Sequence, residues 1–200
     1  QNYRENPCYD TRRNLSVTYE RLGYLFLSKS TSEGNMEAEQ WFRKGLELNE
    51  QNHHENPCYD TRRSLSVTYD RLGKLSLSKS TPEGNTEAEQ WFRKMLELAE
   101  QNYRENPGYD SRRNLSVSYY KLGKAAEAGE GAAALAEAEQ WYQQGRLLDE
   151  INFRQHPGPQ SREDMKSTYA ALYFLAKKKG TPEGEIEADI WKRKYFELEE

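Results

Sequence analysis

The stretch that decides the fold is "EAEQWFRK" at residues 37–44. It returns unchanged at residues 87–94, as "EAEQWY" at residues 137–142, and more loosely as "EADIWKRK" at residues 187–194. The period is 50 residues, and the first two blocks of 50 differ only at positions 3, 4, 14, 20, 24, 26, 32, 36, 45 and 49. Self-similarity at a fixed period of up to about 50 residues is typical of repeat proteins, in which each repeat stacks on its neighbours. The structure of one repeat therefore decides the fold class.

The first part of each repeat has the pattern of an amphipathic helix. Four large apolar side chains of the first repeat are spaced four, three and four residues apart: Leu15, Tyr19, Leu22 and Phe26. This spacing places them on one face of a helix. Pro7 ends the preceding segment, and Asp10 or Thr11 is suited to cap the helix. Gly34 and Asn35 predict a turn after it.

A second helix is predicted after this turn. Ala38, Phe42 and Gly45 lie along one line of it, Trp41 lies beside them, and Pro57 ends it. Each repeat is therefore a predicted pair of antiparallel helices of roughly 20 residues, each about 30 Å long. The alanine lets the two helices approach closely, and the tryptophan and phenylalanine are expected to fill the space between one repeat and the next.

This pattern resembles the tetratricopeptide repeat. The residues that carry the resemblance are Tyr19, Leu22, Gly23 and Phe26 on the first helix, then Ala38, Phe42 and Gly45 on the second. The family's usual period is about 34 residues, so this chain is similar to its long-helix variants, such as the repeats of kinesin light chains and of bacterial signalling proteins. The resemblance implies an all-α, right-handed solenoid of four antiparallel helical hairpins.

We expect a single solenoid over residues 1–200, with repeats at about 8–57, 58–107, 108–157 and 158–200. Residues 1–7 are then the tail of a preceding helix. The last repeat departs from the pattern, because Tyr173 replaces the glycine, Met165 the leucine and Lys192 the aromatic residue. Terminal repeats need an outer face that tolerates water, so we expect this repeat to be a divergent cap.

Composition and charge argue against several kinds of partner. The net charge of −4 gives no basic surface for nucleic acid, and no run of about 18 apolar residues predicts a membrane span. Cys8 and Cys58 occupy a position where Gly108 and Gly158 follow, which indicates a need for a small side chain rather than a disulfide. We therefore expect a cytoplasmic protein that binds neither nucleic acid nor membrane.

Signatures of catalysis are also missing from the sequence. His53 and His54 are adjacent and so point to different helix faces, which does not suit a zinc site. The glycine-rich segment from Gly129 has neither the lysine of a phosphate-binding loop nor the spacing of a dinucleotide loop. We expect no enzyme activity, no metal site and no cofactor.

The most informative surface is the face of the first helix opposite its apolar stripe. In the resembled family this face lines the concave groove that binds peptides. The corresponding residues are Arg13, Val17, Glu20 and Tyr24, then Arg63, Val67, Asp70 and Lys74, then Arg113, Val117, Tyr120 and Lys124. One interpretation is an apolar strip of valines, with arginines that bind acidic or phosphorylated side chains and with selectivity set at the other positions. In the other interpretation the valines pack between helices and the arginines pair with carboxylates of adjacent helices.

Two functions follow as expectations. The first is a non-catalytic scaffold that binds a peptide or a partner helix in its concave face. The alternative is a regulatory or oligomerising arm of a larger bacterial signalling or defence protein, whose effector domain is missing from this chain. Because the first two repeats are nearly identical, copies of the chain are also expected to be able to stack end to end.

Overall fold

The computed structural model describes residues 8–199, so the helix tail predicted for residues 1–7 lies outside the described residues. This described part is all-helical and contains no strand, which confirms the predicted all-α class. The helices of residues 8–199 are α1 (Tyr9–Leu27), α2 (Ser32–Glu55), α3 (Tyr59–Ser78), α4 (Pro82–Glu105), α5 (Tyr109–Glu127), α6 (Gly131–Gln155), α7 (Pro159–Lys179) and α8 (Pro182–Glu197).

The chain divides into two compact units, an N-terminal unit of Gln1–Leu98 and a C-terminal unit of Ala99–Glu200. In the N-terminal unit α1 packs on α2, and α2 packs on α3. In the C-terminal unit α5 packs on α6, α6 on α7 and α7 on α8. We number the repeats 1 to 4 along the chain, and their first helices are α1, α3, α5 and α7, respectively.

The first helix of each repeat begins earlier than its sequence suggested. The N-cap positions are occupied by Cys8, Cys58, Gly108 and Gly158. Thr11, predicted as a cap, is the third residue of α1, and its Oγ1 accepts a hydrogen bond from the backbone N–H of Cys8 at 3.0 Å. Asp10 lies in the first turn, where a carboxylate interacts favourably with the helix dipole. The prediction was wrong because the capping hydroxyl reaches back from inside the helix.

Gly34 lies inside α2 and not in the predicted turn. Thr31 caps α2 by accepting a hydrogen bond from the backbone N–H of Gly34 at 3.0 Å. The chain turns just before it, where Ser30 has a φ of 53°. A Cβ on Gly34 would lie 2.6 Å from the carbonyl oxygen of Phe26. The close approach of α1 and α2 therefore requires this glycine.

In repeats 1 to 3 the core forms where an aromatic ring of the second helix meets a glycine of the first. Phe42 and Phe92 are completely buried in the N-terminal unit. A Cβ on Gly73 would lie 2.3 Å from Cε1 of Phe92. In the C-terminal unit Tyr142 is equally buried, and it packs against Gly123 in the same way. Glycine at this position lets the helices of one repeat approach closely.

The tryptophans contact tyrosines of their own repeat, and Trp191 also packs against a core cluster that joins repeats 3 and 4, in line with the predicted packing between repeats. The ring of Trp41 lies 5.4 Å from that of Tyr19, and the ring of Trp191 lies 5.8 Å from that of Tyr169. Each tyrosine belongs to the same repeat as its tryptophan. The preceding repeat contributes a cation, since the guanidinium of Arg146 lies 5.8 Å from the Trp191 ring.

Repeat 4 does not end in the polar face that its sequence predicted. Phe174 and Phe196 are each more than half exposed, and Ile186 and Ile190 are also exposed. Exposed aromatic rings on neighbouring helices form a surface that water does not favour.

Candidate peptide-binding groove

An open depression of about 340 Å³ lies between α1 and α3 in the N-terminal unit. It brings together five of the predicted site residues: Arg13, Val17, Glu20, Arg63 and Val67. Its other lining residues are Tyr9, Ser16, Asn49, Asp60 and Ser64. We call this depression the arginine groove. It forms because α1 and α3 carry the same side chains at the same repeat positions and present them to a common space.

The two valines of the groove are partly open to solvent. Val17 and Val67 are each 38% exposed, so neither is fully packed between helices. Their equivalent in the C-terminal unit, Val117, is half-buried. The N-terminal unit therefore leaves more apolar surface accessible at this position than the C-terminal unit does.

Arg13 and Arg63 are exposed at the groove. Among residues 8–199, neither guanidinium forms an ion pair with a carboxylate. Asp60 lines the same depression and is exposed. The groove thus has two arginines that can bind an external anion and one carboxylate of its own.

Glu20 and Tyr24 are engaged with the next repeat. Arg71 forms a salt bridge with Glu20, and its Nε donates a hydrogen bond to the Tyr24 hydroxyl at 3.1 Å. Burial raises the pKa of Glu20 although the Arg71 guanidinium opposes the rise. Arg71 was not predicted as a site residue. The sequence contains one signal for it, because the arginine 51 residues after Glu20 has the opposite charge.

The other predicted residues of repeat 2 pair with each other. Lys74 Nζ lies 2.6 Å from a carboxylate oxygen of Asp70, one helical turn away. This pair lies outside the lining of the arginine groove. Asp70 and Lys74 are therefore not joined with the arginines in one depression.

Arg113 in the C-terminal unit already binds a carboxylate. Its Nε and Nη2 donate hydrogen bonds to the two carboxylate oxygens of Asp164, at 2.6 and 3.0 Å. This contact raises the pKa of Arg113. The side-chain amide of Gln160 donates a further hydrogen bond to Asp164 at 3.0 Å. The interpretation that pairs these arginines with a neighbouring carboxylate thus describes Arg113, but not Arg13 or Arg63.

Tyr120 and Lys124 are also occupied within the C-terminal unit. The Tyr120 ring lies 5.6 Å from the Tyr142 ring. Lys124 Nζ donates a hydrogen bond to Glu127 at 3.0 Å and lies 5.9 Å from the Tyr120 ring. These side chains already have partners in their own repeat, whereas Arg13 and Arg63 have no carboxylate partner among residues 8–199.

Residues 8–199 contain no group of three or more His, Cys, Asp or Glu side chains arranged to hold a metal ion. Within the same residues, no helix combines the length and apolarity that crossing a membrane requires. His53 is half-buried, and its Nδ1 lies 3.0 Å from Thr61 Oγ1, which gives this histidine a structural contact.

Comparison with known proteins gives information on the fold. No protein-family model matches the chain, and no curated protein matches it. Among solved structures the chain is similar to a DHF58 filament (TM-score 0.58, 11% identity, 96% of this chain and 93% of that chain). It is also similar to the de novo designed helical repeat protein DHR64 (TM-score 0.54, 10% identity, 96% of both chains). A third match is a DHF119 filament (TM-score 0.51, 12% identity, 94% of this chain and 93% of that chain). At these identities the likeness shows that the chain has a helical repeat fold.

Proposed function

We propose that this protein is a non-catalytic interaction scaffold whose arginine groove binds acidic side chains of a partner peptide or helix. The observation that carries the proposal is the contrast between Arg113 and its equivalents Arg13 and Arg63. The same repeat position binds a carboxylate in the C-terminal unit and is unpaired in the described part of the N-terminal unit.

The carboxylate at Arg113 comes from a defined place in the next repeat. Asp164 lies 51 residues after Arg113. The residue 51 positions after Arg13 is Ser64, whose hydroxyl donates to the backbone carbonyl of Asp60 at 3.0 Å. The N-terminal unit thus has the arginine without the internal carboxylate. A partner's glutamate or aspartate can supply it, since arginine and carboxylate form paired hydrogen bonds of favourable geometry.

The valines give the groove a second kind of recognition. Val17 and Val67 line it together with the arginines and are partly exposed. A peptide that alternates acidic and apolar side chains satisfies both features. Asp60 disfavours a second acidic side chain beside it, so it limits which register such a peptide adopts.

The arrangement of the helices into stacked hairpins is also part of the proposal. We infer antiparallel hairpins stacked in a right-handed solenoid, as in tetratricopeptide repeats. The glycine-aromatic contacts of Gly73 with Phe92 and of Gly123 with Tyr142 support this inference, because they fall on the small and large positions by which the sequence resembles that family.

The test is a fluorescence anisotropy titration with a labelled peptide of alternating glutamate and leucine. A hydrogen bond to a charged group contributes about 1.5–3 kcal/mol, and each 1.4 kcal/mol is about tenfold in affinity. We therefore expect Arg63→Glu to weaken binding by about 10-fold to 100-fold. Arg21→Glu is the matched control, since Arg21 is exposed on α1 and lies outside the groove.

Two further results decide the matter. Binding should weaken with added salt, because the contact is between exposed charges, and the peptide with glutamine in place of glutamate should bind poorly. Equal affinity of the wild type and of the Arg13→Glu, Arg63→Glu double variant would refute the proposal.

A further inference from the structure

One face of repeat 1 lacks the cover that the same face has in later repeats. Leu25 is 60% exposed, whereas its equivalents Leu75 and Leu175 are 3% and 1% exposed. The same holds for a hydroxyl residue, since Thr18 is exposed and its equivalent Thr68 is completely buried. We call Thr18, Leu25, Lys29, Glu37 and Trp41 the N-terminal face.

Inside each unit this face is covered by the preceding repeat. In the N-terminal unit the Asn49 amide of repeat 1 donates to Thr68 Oγ1 of repeat 2 at 3.0 Å. In the C-terminal unit Thr168 Oγ1 of repeat 4 donates to the carboxylate of Asp149 in repeat 3 at 2.8 Å. The exposed leucine of repeat 1 is therefore half of an interface that is present inside each unit.

Repeat 4 exposes the other half of the interface. Phe174 and Phe196 are 62% and 52% exposed. With Tyr173 and Tyr195 they line an open, largely apolar depression of about 330 Å³. We call these four aromatic residues, with the nearby Asp189 and Arg193, the C-terminal face.

Two of the four aromatic residues of the C-terminal face, Phe174 and Phe196, occupy positions that are in contact or buried in repeat 1. Phe174 is equivalent to Tyr24, which is 49% exposed and accepts a hydrogen bond from Arg71 of the next repeat. Phe196 is equivalent to Leu46, which is only 8% exposed. The part of the C-terminal face formed by Phe174 and Phe196 thus corresponds to the surface of repeat 1 that faces repeat 2.

We propose that the occupant of each exposed face is a second copy of this chain, with the C-terminal face of one copy docked on the N-terminal face of another. The two faces belong to one repeat interface, so they fit each other as repeats 1 and 2 do. Such a contact joins different surfaces and leaves one free face on each outer copy. Association therefore continues with rising concentration instead of stopping at a dimer.

Charges at the two faces support the same pairing. Between repeats 1 and 2, Arg43 pairs with Glu87 at 2.9 Å, and Lys79 pairs with Glu39 at 3.2 Å. The equivalent residues in two docked copies are Arg193 opposite Glu37, and Asp189 opposite Lys29. Each of these two pairs between the docked copies joins residues of opposite charge.

One ion pair between repeats 1 and 2 has no counterpart between two docked copies. Ala170 occupies the position of Glu20, so the salt bridge between Glu20 and Arg71 is not repeated. The larger apolar area of Phe174 and Phe196 replaces it, since exposed aromatic rings gain most from burial.

Exposed apolar residues at another repeat position provide a matched control. Met36 and Ile186 are at least as exposed as Leu25 and Phe174. They occupy equivalent positions, and Thr86 and Ala136 at the same position are exposed as well. Because this position is exposed in every repeat, it lies outside the contact between repeats.

The experiment is sedimentation velocity of the full chain over concentrations from about 1 µM to about 1 mM, the range that separates tight from weak association. We expect the wild type to form species larger than dimers as its concentration rises. Leu25→Glu and Phe174→Glu should each be monomeric where the wild type associates, whereas Met36→Glu should associate like the wild type. Far-UV circular dichroism checks that each variant is folded.

Mixing the two monomeric variants makes the decisive measurement. Leu25→Glu keeps an intact C-terminal face, and Phe174→Glu keeps an intact N-terminal face. Their equimolar mixture should form a one-to-one dimer and nothing larger. A mixture that stays monomeric, a Met36→Glu variant that also fails to associate, or a wild type that is monomeric throughout would overturn the proposal.

Discussion

Asp149 is a buried carboxylate that contacts no cation among residues 8–199, and replacing it with asparagine should stabilise the protein at neutral pH. Its side chain is 2% exposed. It accepts hydrogen bonds from Ser116 Oγ at 2.5 Å and from Thr168 Oγ1 at 2.8 Å. Repeat 1 has Asn49 at this position, equally buried and bonded to the equivalent threonine. Asp149→Asn therefore introduces a side chain that the repeat already accommodates.

The magnitude follows from the pKa of Asp149. Burial raises this pKa from 3.8 to about 6, although the hydrogen bonds from Ser116 and Thr168 oppose the rise. Below about pH 3 the carboxyl is neutral in both the folded and the unfolded chain. As the pH rises to about 6, the unfolded chain loses the proton first, so the free energy of unfolding falls. Each pKa unit corresponds to about 1.4 kcal/mol, which gives a loss of about 3 kcal/mol.

Urea unfolding of the wild type and of Asp149→Asn, followed by far-UV circular dichroism, measures this effect. The two proteins should have similar unfolding free energies near pH 3, and the variant should be more stable by about 3 kcal/mol near pH 7. The comparison removes contributions from other titrating groups, which both proteins share. A difference that does not change with pH, or a variant less stable than the wild type at pH 7, would contradict the argument.

Two further substitutions test the packing and the caps. Gly73→Ala should lower the unfolding free energy by about 1–3 kcal/mol, because its Cβ would lie 2.3 Å from Phe92. Gly108→Ala is its control, since nothing lies within 4 Å of that Cβ; equal melting temperatures of the two variants would refute the packing argument. Thr181→Ala should lower the unfolding free energy by about 1 kcal/mol, because its hydroxyl accepts from the backbone N–H of Gly184 at 3.1 Å; an unchanged urea midpoint would show that this cap contributes nothing.

The helical fold could be predicted because periodicity reports directly on which side of a helix is apolar. Leu65 and Leu72, at the positions of the predicted stripe, are buried. Helix starts were less accessible to sequence reasoning. Thr11 fits either an N-cap or the third helical residue, and only backbone geometry separates the two.

Whether each candidate arginine is paired depends on how far the helices of neighbouring repeats are shifted along their axes. The periodicity of the sequence does not report this shift. Arg13, Arg63 and Arg113 look equivalent in the sequence. Which of them is paired depends on the residue 51 positions later, and Asp164 differs there from Ser64. A salt bridge across repeats requires the relative shift of two helices along their axes, and that shift is a property of packing.

Exposure of the two end faces could not be predicted either. Leu25 and Leu75 are the same residue at the same repeat position, yet their exposed fractions are 60% and 3%. The difference arises from what covers the helix and not from the helix itself.

The most direct test of the proposed carboxylate site is an NMR titration that follows the arginine Nε–Hε signals while the glutamate-leucine peptide is added. We expect the Arg13 and Arg63 signals to shift and saturate together. The Arg113 signal should stay in place, because Asp164 already holds that guanidinium. Stationary Arg13 and Arg63 signals, or an Arg113 signal that shifts as far as theirs, would contradict the account.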